Sequence, residues 1–173
     1  MSNEICNAGG VFHIQCLDKD GNLKWEAKEH NLVVNTGVQY MNAKTFTGTA
    51  YTATWYLGLY GAGALNTPAA TDTMVSHPGW TEITPYSNAT RPACSFGKPT
   101  TANPSVATNT SSAASYSINA TATVGGAFLT TDNTKGGTAG TLFSAADFQA
   151  PGDRSVVNGD TILVTYTFSL TAT

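Results

Sequence analysis

Residues 158–173 read NGDTILVTYTFSLTAT, and after Asp160 this stretch carries no charged side chain. Ile162, Val164, Tyr166, Phe168 and Leu170 fall on one side of an extended strand. Thr161, Thr165, Thr167, Ser169 and Thr171 fall on the other, with Leu163 the one apolar intruder. A period of two sustained this long marks a β-strand with one face in a core. The first row is the expected core strand. Burying five such side chains contributes on the order of 10 kcal/mol, at about 25 cal/mol per Å², before chain entropy is subtracted. The hydroxyl row is expected to line the solvent side of a sheet or to meet another protein copy. Thr suits a pleated surface, and a hydroxyl is far cheaper to desolvate than an ion. Asn158-Gly159 supplies the turn that starts the strand.

The same economy of charge runs through the whole chain. Charged residues make up 11% of the 173, against about 25% in ordinary soluble domains. Thr and Ser together supply roughly a quarter. This length suits one domain over 1–173, which needs no disulfide or metal to hold a core. A net charge of −3 leaves no basic footprint for nucleic acid. No apolar run approaches a membrane span, so neither nucleic acid nor membrane is an expected partner. The first residues, MSNEICNAGGVF, show neither the basic start nor the apolar core of a secretory leader, which points to assembly in a reducing cytoplasm. Cys6, Cys16 and Cys94 agree, being odd in number and widely spaced, and they read as free thiols.

Upstream of the final strand the chain also reads as β. GVFHIQCL (10–17) alternates, DKDGN turns on Gly21, and LKWEAKEHNLVV returns, so a hairpin is expected over about 10–34. The best helix candidate is NTGVQYMNAKTF (35–46), capped by Asn35 or Thr36 and carrying Val38, Met41 and Thr45 at helical spacing, with Phe46 just beyond. Gly48 ends it. TWYLGLYG (54–61) is apolar on both faces, as in a strand buried on both sides. Residues 61–72 read as a loop, and the four prolines between 73 and 99 confine that segment to edge strand or coil pinned by Trp80, Ile83, Tyr86 and Phe96. Residues 99–115 are low in complexity and extend the expected loop to 85–115. YSINATATVGG (116–126) alternates again, GAFLTT follows as a short strand, 131–140 is a surface turn, and TLFSAADF returns. Eight or more strands with one short helix near 36–46 predict an all-β fold, an antiparallel β-sandwich or jelly roll.

No reaction chemistry is expected of it. Asp18, Asp20, Asn22 and Glu29 mimic part of a calcium loop, but Leu23 stands where the sharp turn needs glycine. His13, His30 and His77 form no ligand pair, and there is no Gly-x-Ser-x-Gly elbow. Asp72, Glu82, Asp132, Asp147, Asp153 and Asp160 mostly flank turns, where Asp bonds its own backbone. GAGALN lacks the ending of a phosphate loop. Trp55, Tyr56, Tyr60, Trp80 and Tyr86 allow a sugar-stacking platform, although core packing accounts for the same residues. Catalytic, cofactor and metal residues are accordingly expected to be none.

Five blocks carry a resemblance: HNLVVNTGVQYMNAKTF (30–46), WYLGLYG (55–61), ATDTMVSHPGWTEITPYSNATRP (70–92), GAFLTTDNTKGGTAGTLFSAADF (126–148) and VVNGDTILVTYTFSL (156–170). In this order they resemble a family of tailed-bacteriophage virion structural proteins. The resemblance implies a place on the virion, as a capsid decoration (cement) protein on the head surface. Its partners would be the major capsid protein and other copies of itself, as a trimer. The other implied role is a head- or tail-fibre module that recognises host surface glycan. Neutral hydroxylated faces favour the first role, since the chain shows no repetitive shaft and no coiled-coil segment. Expected partner contacts are Lys24, Glu26 and Lys28 in the charged hairpin and Tyr86, Arg91 and Phe96 in the Pro-rich segment.

Overall fold

A computed structural model describes residues 5–48, 51, 54–61, 67–149 and 152–172. The final strand forms as β10 (Thr161–Ala172) and lies in the middle of its sheet. One edge of β10 pairs antiparallel with β1 (Cys6–Leu17), from Cys6 opposite Ala172 to Leu17 opposite Thr161. Its other edge is shared by β5 (Ser105–Thr108), opposite residues 167–170, and β6 (Ala114–Ser117), opposite residues 161–164. β2 (Leu23–His30) continues the sheet beyond β1 through the expected hairpin turn. There Gly21 adopts φ +84°, and the Asp18 carboxylate accepts from the backbone N–H of Asp20 and Asn22. The calcium-like loop is therefore a hairpin tip held by its own backbone.

The second sheet takes β3 (Leu32–Val33), β8 (Leu142–Asp147) and β7 (Ala122–Thr130) in that order. Beyond β7 comes β4 (Tyr56–Gly61), while β9 (Arg154–Val156) continues the opposite edge of β7 past the end of β8, since Val124 pairs with Gly61 on one side and Arg154 on the other. All pairings are antiparallel, and the fold is an all-β sandwich with one short helix, α1 (Asn35–Phe46). The expected hairpin of 10–34 thus divides: its strands begin at Cys6, and its tail crosses to the other sheet as β3.

Cross-strand pairs set the core. Phe12 opposes Tyr166, Ile14 opposes Val164 and Cys16 opposes Ile162, and all six are buried. They pack against Leu57, Leu59, Ala127, Leu129 and Phe143 of the second sheet. Each of Ile162, Val164 and Tyr166 contributes about 1.5–3 kcal/mol by burial. The expected core row ends there. Phe168 is half-buried and Leu170 is 39% exposed, so cover on the inward side of β10 thins out beyond Tyr166 among the described residues.

The second sheet is buried on its outer side as well. Val34, Tyr60, Met74, Trp80, Phe128, Leu142 and Ala145 form a second apolar cluster, with Met74 and Trp80 supplied by the Pro-rich segment. That segment touches the sheet through isolated bridges such as Tyr60–Glu82 and Tyr56–Ala93, as its prolines require. Residues 62–66 of the expected 61–72 loop lie outside the described residues.

Four local expectations need correction. Val34, not Asn35 or Thr36, holds the N-cap position of α1, and the Thr36 hydroxyl donates to the Leu142 carbonyl instead. The helix face is rotated too: Val38 is 44% and Phe46 81% exposed, while Gly37 abuts Phe143 and Tyr40 and Met41 pack on the core. Within the expected 85–115 loop, β5, a 3-10 turn (Thr110–Ser112) and the start of β6 form. Asn109 makes this possible. Buried between β5 and β6, its side-chain oxygen accepts from Tyr166 N–H and its amide donates to Val164 C=O, replacing a strand's backbone beside β10. The 116–126 strand breaks after Ser117, and Gly125-Gly126 lies inside β7.

Candidate functional site

Where the β10 row loses its cover, a cavity of about 450 Å³ opens between the sheets. Tyr166 and Phe168 of β10, Phe143 of β8 and Leu129 of β7 form its floor and back. Tyr40 and Met41 of α1 close one side, Trp55 and Phe96 the other. The rings interlock edge to face. Tyr40 meets Trp55 at 5.2 Å, Trp55 meets Phe143 at 5.2 Å and Phe143 meets Phe168 at 5.5 Å between centroids. Such contacts fix ring orientation and give rigid walls. The Tyr166 hydroxyl accepts from Asn31 Nδ2 at 2.8 Å and from the Ser144 hydroxyl at 3.3 Å, and burial raises its pKa. Among the described residues, Lys44 is the one charged side chain of the lining, its Nζ 4.9 Å over the Tyr40 ring.

Of the expected partner contacts, Phe96 alone reaches this cavity. Arg91 is fully buried and is no surface contact. Its Nε and Nη2 donate to the two Glu82 oxygens at 2.9 and 2.7 Å, Nη1 donates to the Asp132 carbonyl at 2.9 Å, and Nη2 also to the Gly137 carbonyl at 2.7 Å. The guanidinium lies over the Phe128 ring, and the clamp ties the 131–140 connection to the Pro-rich layer. Tyr86 is buried as well, edge-on to Tyr116, with Lys135 Nζ 4.5 Å over its ring. Lys24, Glu26 and Lys28 do lie exposed along β2, the sheet's edge strand. Lys24 Nζ donates to the buried Asp160 at 2.5 Å, which raises its pKa; Glu26 takes His13 Nε2 at 2.9 Å, which lowers the carboxyl's.

The expected stacking platform disperses. Trp55 lines the cavity, but Tyr60, Trp80 and Tyr86 are buried elsewhere and Tyr56 is half-buried. Of the cavity rings, Tyr40 and Phe143 have no sequence signal beyond being aromatic and Phe168 reads only as part of the core row, since α1, β8 and β10 bring them together from separate parts of the chain.

Elsewhere the polar groups serve the framework. Asp72 accepts from Trp80 Nε1 and the backbone of Ala69, and His77 stacks on Trp80 at 3.8 Å. Burial pushes the Cys16 thiol up to about 11, with Asp160 adding to it, and the Cys94 thiol up to about 12. Cys6 is exposed. Among the described residues, no group of three or more His, Cys, Asp or Glu is placed to hold a metal, and no helix is long and apolar enough to cross a membrane. Comparison with protein-family models, with curated proteins and with solved structures finds no match.

Proposed function

We propose that this chain is a non-enzymatic structural protein of a tailed-phage virion that decorates and stabilises the head shell. It contacts the major capsid protein and other copies of itself, as a trimer on the capsid surface. The five sequence blocks support the virion assignment. One structural observation supports a role in contact: the inward, uncharged side of the β10 sheet becomes exposed past Tyr166 and continues into an aromatic cavity. Exposed apolar surface of this kind marks interaction sites, and a stable contact buries about 1,600 Å² in total. Adding purified protein to expanded capsids that lack it should give saturable binding in many copies and raise the capsid melting temperature. Absence of binding, or a handful of copies per purified particle on a stained gel, overturns the proposal.

The aromatic walls also favour a second reading, a fibre module that stacks host-surface sugar. Sugar hydroxyls need many polar partners, and this lining supplies few. Glycan-dependent binding to host cells, with infection blocked by excess free protein, would establish it over the first.

A further inference from the structure

We infer that β2 (Leu23–His30) pairs edge to edge with β2 of a second copy, antiparallel about a two-fold axis at Ala27, so that Glu26 of each copy faces Lys28 of the other. This goes beyond the decoration role proposed above and concerns how copies meet. A two-fold pairing closes at two copies, so it would tie one trimer to the next rather than close a trimer.

The backbone leaves this edge open. β2 ends its sheet, and an unpaired edge strand is a template for another strand. One step beyond the Val11–His30 pair, Asn31 N–H donates to the Gly10 carbonyl, which sets the phase of the β1–β2 ladder. Alternate residues of an antiparallel strand bond to alternate sides. Trp25, Ala27 and Glu29 therefore bond β1, while Glu26, Lys28 and His30 turn N–H and C=O outward. Among the described residues nothing bonds those outward groups. The β5, β6 and β4 margins are closed, because the N–H groups of Gly97 and Thr100, of Ser87 and of Ile83 respectively bond them.

Charge selects the partner and the register. Glu26 and Lys28 share the solvent face of the sheet, and both are exposed. Glu26 holds His13 Nε2 at 2.9 Å yet keeps lone pairs for an ammonium. Lys28 makes no hydrogen bond or ion pair with a described residue. With the axis at Ala27, both outward pairs join opposite charges and each exchanges its backbone hydrogen bonds. Moving the axis one residue either way sets Glu26 opposite Glu26 or Lys28 opposite Lys28, which repel. Glu29 is buried and points inward, as charges that guard a strand edge do. In this register it lies opposite Trp25 of the second copy, and the two Glu29 residues stand roughly 13 Å apart along the strand. An edge contact is small against the roughly 1,600 Å² of a standard interface, so pairing depends on protein concentration and gains where many copies are held side by side.

The test uses the full chain with exposed Cys6 changed (Cys6→Ser), leaving the buried Cys16 and Cys94. Copies carrying Glu26→Cys are mixed with copies carrying Lys28→Cys, and oxidised glutathione takes up the two electrons of each cross-link. Hydrogen-bonded neighbours stand about 5.5 Å apart at Cα, within disulfide range. The mixture should give a disulfide dimer on a non-reducing gel. Either variant alone should give little, since its like cysteines stand more than about 7 Å apart. In the parent chain, Glu26→Lys and Lys28→Glu should each weaken self-association about ten-fold, read by sedimentation at rising concentration. The double reversal should restore it, with melting temperatures retained throughout. No cross-link in the mixture, equal cross-linking of either variant alone, or single reversals without effect overturns the inference. So do backbone shifts at 26–30 that arise on adding capsid subunits and not on concentrating the chain, since these make the capsid protein the occupant.

Discussion

Arg91 sits in a soft, Pro-rich stretch, yet its guanidinium donates to both Glu82 oxygens and to two backbone carbonyls, all inside the protein. Removing one partner of a buried pair strands the other, so Arg91→Ala should lower stability by about 3–5 kcal/mol in a urea melt. Arg91→Lys should recover little, because an ammonium lacks the planar fork that spans both Glu82 oxygens. Asp147 gives the opposite case. Desolvation, then the neighbouring Asp153 and Glu29, raise its carboxyl pKa above the usual 3.8. A raised acid pKa means the charged form is disfavoured in the fold, so ionised Asp147 destabilises at neutral pH. That penalty fades as pH falls through the raised pKa and is gone below 3.8. Asp147→Asn should therefore raise the melting temperature at neutral pH, with the gain shrinking to nothing in acid. A gain that persists unchanged below the usual carboxylate range would contradict the assigned cause.

At the scale of strands, β4 and β7 show why glycine belongs inside a sheet. Gly58 lies opposite Phe128 and Gly126 opposite Tyr60, so each glycine sits beneath the ring of its cross-strand neighbour. A Cβ on Gly58 would collide with the Phe128 ring, and one on Gly126 with the Ala146 carbonyl oxygen and the Tyr60 ring. Gly58→Ala should cost about 1–3 kcal/mol, read as a lower thermal midpoint with the far-ultraviolet spectrum kept. Legibility in the sequence varies among the elements for related reasons. β1, β2 and β10 alternate because one face is half-solvated, and β4 and β8 read as apolar runs because both faces are covered. β5 is illegible: it pairs Thr108 with the distant Thr167, and the Asn109 amide that bridges it to β6 looks in sequence like any loop asparagine. The helix can be read from its spacing but its face cannot, because the buried side rests on Gly37, which carries no hydrophobic signal.

For the molecule as a whole, sandwich class is readable from period and turn residues, whereas the cavity is not. Tyr40, Trp55, Phe96, Phe143 and Phe168 come from separate segments, and only tertiary packing makes them one surface. Tyr86 and Arg91 fail as contacts for the same reason, since burial of a loop depends on what folds over it. The order of the strands also bears on how the protein comes into being. β10 is last in sequence yet central in its sheet, and it joins the β1–β2 hairpin to β5 and β6. During synthesis those earlier pieces emerge with unsatisfied edges and no common partner, and pairing across so great a chain separation is slow. Half of the sandwich must then condense in a single late event once β10 has emerged, which makes the nascent chain a client for holding factors and makes low temperature and slow expression the conditions under which it accumulates intact.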